Sequence, residues 1–223
     1  MFEVDKIFQD NLKKVHIPRN FFERFQQFYD FLLTENQKYN ITRITECEEY
    51  WIKHIYDSLL LAECFPEIAE RELKLLDIGC GGGFPSLILA AAFPDLSITA
   101  VDSIRKKTEF VKLAAERLNL ENLIVMTSRG RELSVQEEFQ SNFDIITARA
   151  VADCSVIYRE TRRMLNEKGS YLLFKTPAKV DDELSAVRAR SKGNGFVWDI
   201  SPVFELPMGM GQRVFVKGQK NPC

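Results

Sequence analysis

From Leu73 onward the chain alternates short apolar runs with helical patterns, and that alternation restricts it to one broad architecture. "LKLLDIG", "SITAVD", "NLIVMT", "FDIITA" and "GSYLLFKT" read as strands. Between and after them come "FPSLILAAAF", "RKKTEFVKLAAERLNL", a short helical or loop segment running to Gln140, "ADCSVIYRETRRML" and "DDELSAVRARS". A strand, a helix-length crossover and another strand make a parallel pair. A series of such units predicts an α/β fold, a parallel sheet with helices on both faces. The last stretch, "FVWDISPVFELPMGMGQRVFVKGQ", reads as two strands around a turn with Pro and Gly, an antiparallel pair that completes a mostly parallel seven-stranded sheet. Right-handed crossovers bring the C-terminal ends of the first and fourth strands to one edge.

The segment before this alternation is glycine-poor and helical. Phe21, Phe25, Phe28 and Leu32 form one stripe, with Pro18 near its start, and Trp51, Ile55, Leu59 and Ala62 form another. These stripes are expected to pack against a second layer. The chain therefore divides into a helical extension, residues 1–70, and a sheet domain, residues 71–223. Of its 223 residues 45% are hydrophobic and 28% charged, and the net charge is −2, so any surface for nucleic acid must be local. Cys47, Cys64, Cys80, Cys154 and Cys223 form no CxxC pair, and His16 and His54 lie far apart, which argues against both a metal site and a disulfide framework. The opening "MFEVDKIFQD" mixes acids with apolar residues, unlike a signal peptide, and no apolar run reaches the length of a membrane span. A soluble cytoplasmic protein is expected, and nothing demands more than a monomer.

The first strand ends in "LLDIGCGGGFP", Leu75–Pro85. A P-loop needs Lys and a hydroxyl after its glycines, but Phe84 and Pro85 stand there. A dinucleotide fingerprint needs a glycine where Phe84 falls. What remains is Asp77, Gly79, Gly81 and Gly83 in alternate positions, with Asp102 closing the second strand. A carboxylate there accepts ribose hydroxyls, so the arrangement suits a ligand with ribose and adenine but no phosphate. S-Adenosylmethionine fits, and Asp77 would favour its cationic end.

Together with "AVDSIRKKTEFV", "FDIITARA", "KYNITRIT" and "HIYDSLL", this loop resembles the bacterial rRNA small-subunit methyltransferase G family, also called glucose-inhibited division protein B. The resemblance runs from about Asn36 to Lys179 and more loosely to "GQRVFVKGQK". It implies a Rossmann-like class I methyltransferase that uses S-adenosylmethionine to methylate N7 of one guanine in 16S rRNA, with 16S rRNA or the small ribosomal subunit as partner. It further implies cofactor contacts at Gly79, Phe84 and Asp102, an adenine-side pair at Gly130 and Arg131, and Arg149 beside the cofactor. The sequence departs from the family in three places. A small or apolar residue followed by glutamate is usual where Gly130 and Arg131 stand, which makes Glu132 an alternative. Ser86 replaces a glycine, and Lys175-Thr176-Pro177 replaces Lys-Gly.

N7 of guanine has a lone pair and no proton, so its methylation needs in-line placement and no general base. No Asn/Asp-Pro-Pro-aromatic stretch of the adenine-N6 type follows the fourth strand, and Cys154 and Cys223 lack the setting of a cytosine-C5 nucleophile. Arg149 and Lys175 are candidates for positioning the substrate. Arg149 would touch O6 or a phosphate, or else pair with Asp77 or Asp144. Arg105, Lys106 and Lys107 are the first candidates for RNA contact, because three cations in a helix's first turn oppose its dipole. Arg162, Arg163, Arg188, Arg190 and Lys192 are weaker ones. His54 and Asp57 are expected to brace the extension against the glycine loop. The alternatives are a class I methyltransferase acting on a protein or small molecule, or a ribosome-binding module without catalysis.

Overall fold

A computed structural model describes residues 4–221; Cys223 lies outside them. The helical extension comprises α1 (Val4–Asn11), α2 (Phe21–Tyr39), α3 (Cys47–Glu49), a π-helical stretch (Tyr50–Tyr56), α4 (Asp57–Cys64) and α5 (Glu67–Glu70). Then follow β1 (Lys74–Ile78), α6 (Ser86–Ala92), β2 (Ser97–Asp102), α7 (Arg105–Arg117), β3 (Leu123–Thr127), α8 (Gly130–Leu133) and β4 (Phe143–Arg149). The chain continues through α9 (Cys154–Thr161), β5 (Leu165–Lys175), α10 (Pro177–Ser191), β6 (Phe196–Ile200), β7 (Phe204–Glu205) and β8 (Gln212–Lys220).

The sheet runs β3-β2-β1-β4-β5-β8-β6, with the short β7 paired to β8. Strands β1 to β5 are parallel, and β8 lies antiparallel between β5 and β6. This is the expected sheet of seven strands with one small addition at the turn. The strand order reverses between β1 and β4, so a crevice opens at their C-terminal ends. Side chains alternate across the sheet. Leu75, Ile98, Ile145, Leu172 and Phe215 face one core, and Leu76, Val101, Ile146, Leu173 and Val216 face the other. In β8, Gly218 leaves room for the Trp198 ring, which would stand 2.2 Å from an added Cβ.

The first core also takes in the extension, from Phe8 to Ile68. Phe21, Phe25, Phe28 and Leu32 are buried as their spacing predicts, as are Trp51, Ile55, Leu59 and Ala62. The second helix is not one-sided, however. Every residue from Asp57 to Ala62 is buried. The π-helical stretch adds a residue to each turn, shifting the faces of the helix around His54. Two strand and helix starts also differ. β5 begins at Leu165, before Gly169, across a register shift opposite β4. α10 begins at Pro177, whose fixed φ suits the first helical turn.

Candidate active site

The glycine loop leaves β1 under β2. The N–H groups of Gly79 and Cys80 both donate to Val101 O, at 2.7 and 3.0 Å. Gly79 has φ +73°, and a Cβ there would stand 2.3 Å from Val151 Cγ2, so only glycine fits. Gly81 N–H donates to Asp102 Oδ2 at 3.0 Å, and Ile104 N–H donates to Oδ1 at 2.8 Å. These bonds fix the carboxylate and leave lone pairs on both oxygens. Around the loop lies a cavity of about 520 Å³. Gly79, Gly81, Phe84, Asp102, Gly130, Arg131 and Arg149 all line it, at the ends of β1, β2 and β4 and at the start of α8.

Other expected site residues lie elsewhere. Asp77 is fully buried and outside the cavity wall, because its side chain lies on the face of β1 covered by α6. Ser86 Oγ donates to its Oδ2 at 2.5 Å, while Oδ1 has no partner. Burial pushes the Asp77 carboxyl up to about 6, against the opposing hydrogen bond from Ser86. Glu132 turns back onto its own helix and accepts from Arg129 N–H at 3.1 Å and from Ser128 Oγ at 3.3 Å. It caps α8, and Arg131 keeps the place on the wall. The cationic triplet divides. Lys107 lines the cavity, Lys106 is exposed, and Arg105 pairs with Glu109 at 2.7 Å. Arg188 donates to Trp198 O at 2.6 Å, a bond within the fold. Lys175 stands off the first cavity, donating to Ala152 O at 2.7 Å and pairing with Glu183 at 2.6 Å. Burial pushes the Cys154 thiol up to about 12, so it stays protonated and unreactive.

Arg149 pairs with neither Asp77 nor Asp144. Its Nη1 donates to Asp57 Oδ2 and to Lys53 O, each at 3.0 Å. Its Nη2 donates to His54 Nδ1 at 3.3 Å. A guanidinium has no acceptor, so Nδ1 must carry the lone pair and Nε2 the proton, which goes to Thr42 Oγ1 at 2.9 Å. Burial, then the Arg149 charge, hold the imidazole well below its ordinary range, so it is neutral. Its ring stacks on Phe84, centroids 4.0 Å apart. Asp57 is shared by a second arginine, Arg213, whose Nε and Nη2 donate to Oδ1 and Oδ2 at 2.7 Å. The extension is thus braced against both β4 and β8. The motif "HIYDS" signals this brace in sequence, but Arg213 had no signal beyond the loosely matched "GQRVFVKGQ".

The cradle of Gly79 and Gly81, the fixed acid at the end of β2 and an unpartnered buried carboxylate oxygen below fit a cationic, ribose-bearing ligand. Strand order and site together define a class I methyltransferase. An O-methyltransferase from Bacillus cereus, solved in complex with SAH, superposes with a TM-score of 0.64 at 15% identity, covering 98% of this chain and 97% of that one. The sequence profile of rRNA small subunit methyltransferase G matches residues 22–200. The Ribosomal RNA small subunit methyltransferase G of Lactococcus lactis subsp. cremoris is 34% identical over 89% of this chain and 82% of its own. That of Leuconostoc mesenteroides is 36% identical over 83% and 77%. This chain belongs to the rRNA small subunit methyltransferase G family. It is an S-adenosylmethionine-dependent methyltransferase with small-subunit rRNA as substrate. Among the described residues no helix is long and apolar enough to cross a membrane, and no group of three His, Cys, Asp or Glu is placed to hold a metal.

Proposed function

We propose that this chain methylates N7 of a guanine in 16S rRNA, acting as a monomer in the cytoplasm. S-Adenosylmethionine, when bound, supplies a methyl group made electrophilic by its sulfonium. Gly79, Gly81 and the Phe84 end of the loop form its cradle. Asp102 accepts from the ribose hydroxyls, Gly130 and Arg131 border the adenine, and Asp77 offsets the cationic charge from beneath. Lys107, with Arg105 and Lys106 beside it, meets the RNA backbone, where cations position without reading sequence.

One observation carries the N7 reading. His54, an imidazole on the cavity wall, has both ring nitrogens engaged, one by Arg149 and one by Thr42. It is thereby withdrawn from proton transfer. N7 arrives with its lone pair free, so the residues need only hold the base in line and exclude water. The test is methyl-labelled S-adenosylmethionine with small ribosomal subunits that lack N7 methylation, followed by digestion to nucleosides. Label in 7-methylguanosine, lost in Asp102→Ala, is expected. Label in any other nucleoside refutes the reading.

A further inference from the structure

A second cavity, of about 540 Å³, opens beside the first. The two share His54, Arg149, Ala150 and Val151 as a common wall. Ala150 has a left-handed φ of 56°, an uncommon conformation for a residue with a Cβ. The next residue, Val151, is the one that packs onto Gly79 of the glycine loop. A volume of this size is ample for a small organic ligand. Because the wall is shared, whatever occupies the second cavity lies next to the occupant of the first.

Lys175 Nζ uses two of its three protons, on Ala152 O and on Glu183, and one remains. Asp153 directly follows Ala152, lines the same cavity and is exposed. Its side chain does not cap α9 and makes no hydrogen bond or ion pair among the described residues. A cation with one proton unspent and a carboxylate with no partner among the described residues therefore line the same cavity.

We propose that this second cavity receives the acceptor guanine, with Lys175 donating to O6 and Asp153 accepting from N1–H and the N2 amine. The inference rests on the N7 reading and deepens it. Around a guanine the order is N7, O6, N1–H, N2–H₂, that is, two acceptors followed by donors. A lysine on O6 and a carboxylate on the donors leave N7 untouched, on the O6 flank of the base. Adenine presents an amine to the lysine and a bare N1 to the carboxylate, so both contacts turn repulsive. Arg149 takes no part in reading the base, because Asp57, Lys53 O and His54 already occupy it.

The test uses Asp153→Asn and Asp153→Glu. Each is assayed with labelled S-adenosylmethionine and small subunits lacking N7 methylation, and the cofactor's dissociation constant is measured separately. The Asn variant keeps one acceptor oxygen and sets an amine against one of the two guanine donors. Its kcat/KM is expected to fall roughly 5- to 150-fold, the range for losing a paired contact to a base, with cofactor binding unchanged. The Glu variant should recover part of the loss. As a second readout, 5′-GMP should shift the Val151 methyl resonances of the wild type more than 5′-AMP does, and Asp153→Asn should erase that difference. Wild-type label in 7-methylguanosine with an undiminished Asn variant would overturn the acceptor site and leave the N7 reading standing. Loss of cofactor binding in the variants would overturn it too, by moving Asp153 into the first cavity's structure. Label absent from 7-methylguanosine even in the wild type refutes the N7 reading and this inference with it.

Discussion

Asp57→Ala is the perturbation with the largest effect that the structure supports. The carboxylate is 1% exposed and sits between two guanidiniums that are themselves 12% and 14% exposed. Three charge-assisted hydrogen bonds end on it, two at 2.7 Å and one at 3.0 Å. Removing one partner of such a buried pair costs about 3–5 kcal/mol, because the cations left behind have no counterion. Here two cations are left, and Arg213 already disfavours the charge on Arg149, against the opposing pull of Asp57. The upper half of that range is expected. For a chain of this size it corresponds to a drop in Tm of roughly 8–20 °C. Urea denaturation followed by circular dichroism measures the loss directly. Asp57→Asn keeps the shape and removes the charge, so it should retain only a minor part of the stability. In a double-mutant cycle with Arg213→Met, the two losses should be less than additive by about 0.5–3 kcal/mol. A loss below about 1 kcal/mol for Asp57→Ala, or strict additivity with Arg213→Met, would refute the shared-carboxylate account.

Three further outcomes follow from the same geometry. Asp77 has its carboxyl raised from 3.8 to about 6 in the folded chain, so the native state binds the extra proton between those values and loses stability as pH rises through the window. The stability difference between Asp77→Asn and wild type should therefore shift in favour of the variant by about 2 kcal/mol from pH 4 to pH 7, as equilibrium unfolding at each pH would measure. His54 acts with the opposite sign. Its folded value is depressed, so its contribution is present above the unfolded value of 6.5 and is lost as pH falls below it; His54→Phe should flatten that acid limb. Nitrogen chemical shifts should also show the Nε2–H tautomer persisting in the wild type at pH 6. Gly79→Ala should abolish cofactor binding in a calorimetric titration, and Val151→Ala in the same chain should restore part of it, since the added Cβ meets the Val151 methyls.

The sheet was legible because its signals are local. Each strand carries its own apolar run, each crossover its own helical period, and the glycine loop its own backbone demand. The cavity lining at Gly79, Gly81, Asp102 and Arg149 could be read for the same reason, since parallel strands place those positions on one edge. Contacts between residues distant in the chain were not legible. Asp77 reads in sequence as a neighbour of the ligand's cationic end, and strand alternation turns its side chain towards Ser86 under α6. The Arg149 guanidinium was matched with Asp77 or Asp144, whereas its partner comes from the extension. Glu132 was an open alternative for the adenine side until its capping bonds placed it on α8. The π-helical stretch has no signature in its apolar spacing, and it surrounds the His54 that reaches both Thr42 and Arg149.

Asp57 and Arg213 are 156 residues apart in the chain. Closing so long a loop is a late event, since its entropy must be met before the contact is gained. A chain emerging from synthesis can assemble β1 to β5 and the glycine loop well before β8 arrives. Until then Asp57 holds a single arginine, and β5 lacks the neighbour that β8 supplies on its outer side. The lining of the second cavity is therefore finished by the last strand of the sheet to be made, so that a half-made chain carries the glycine loop before the cavity beside it is complete.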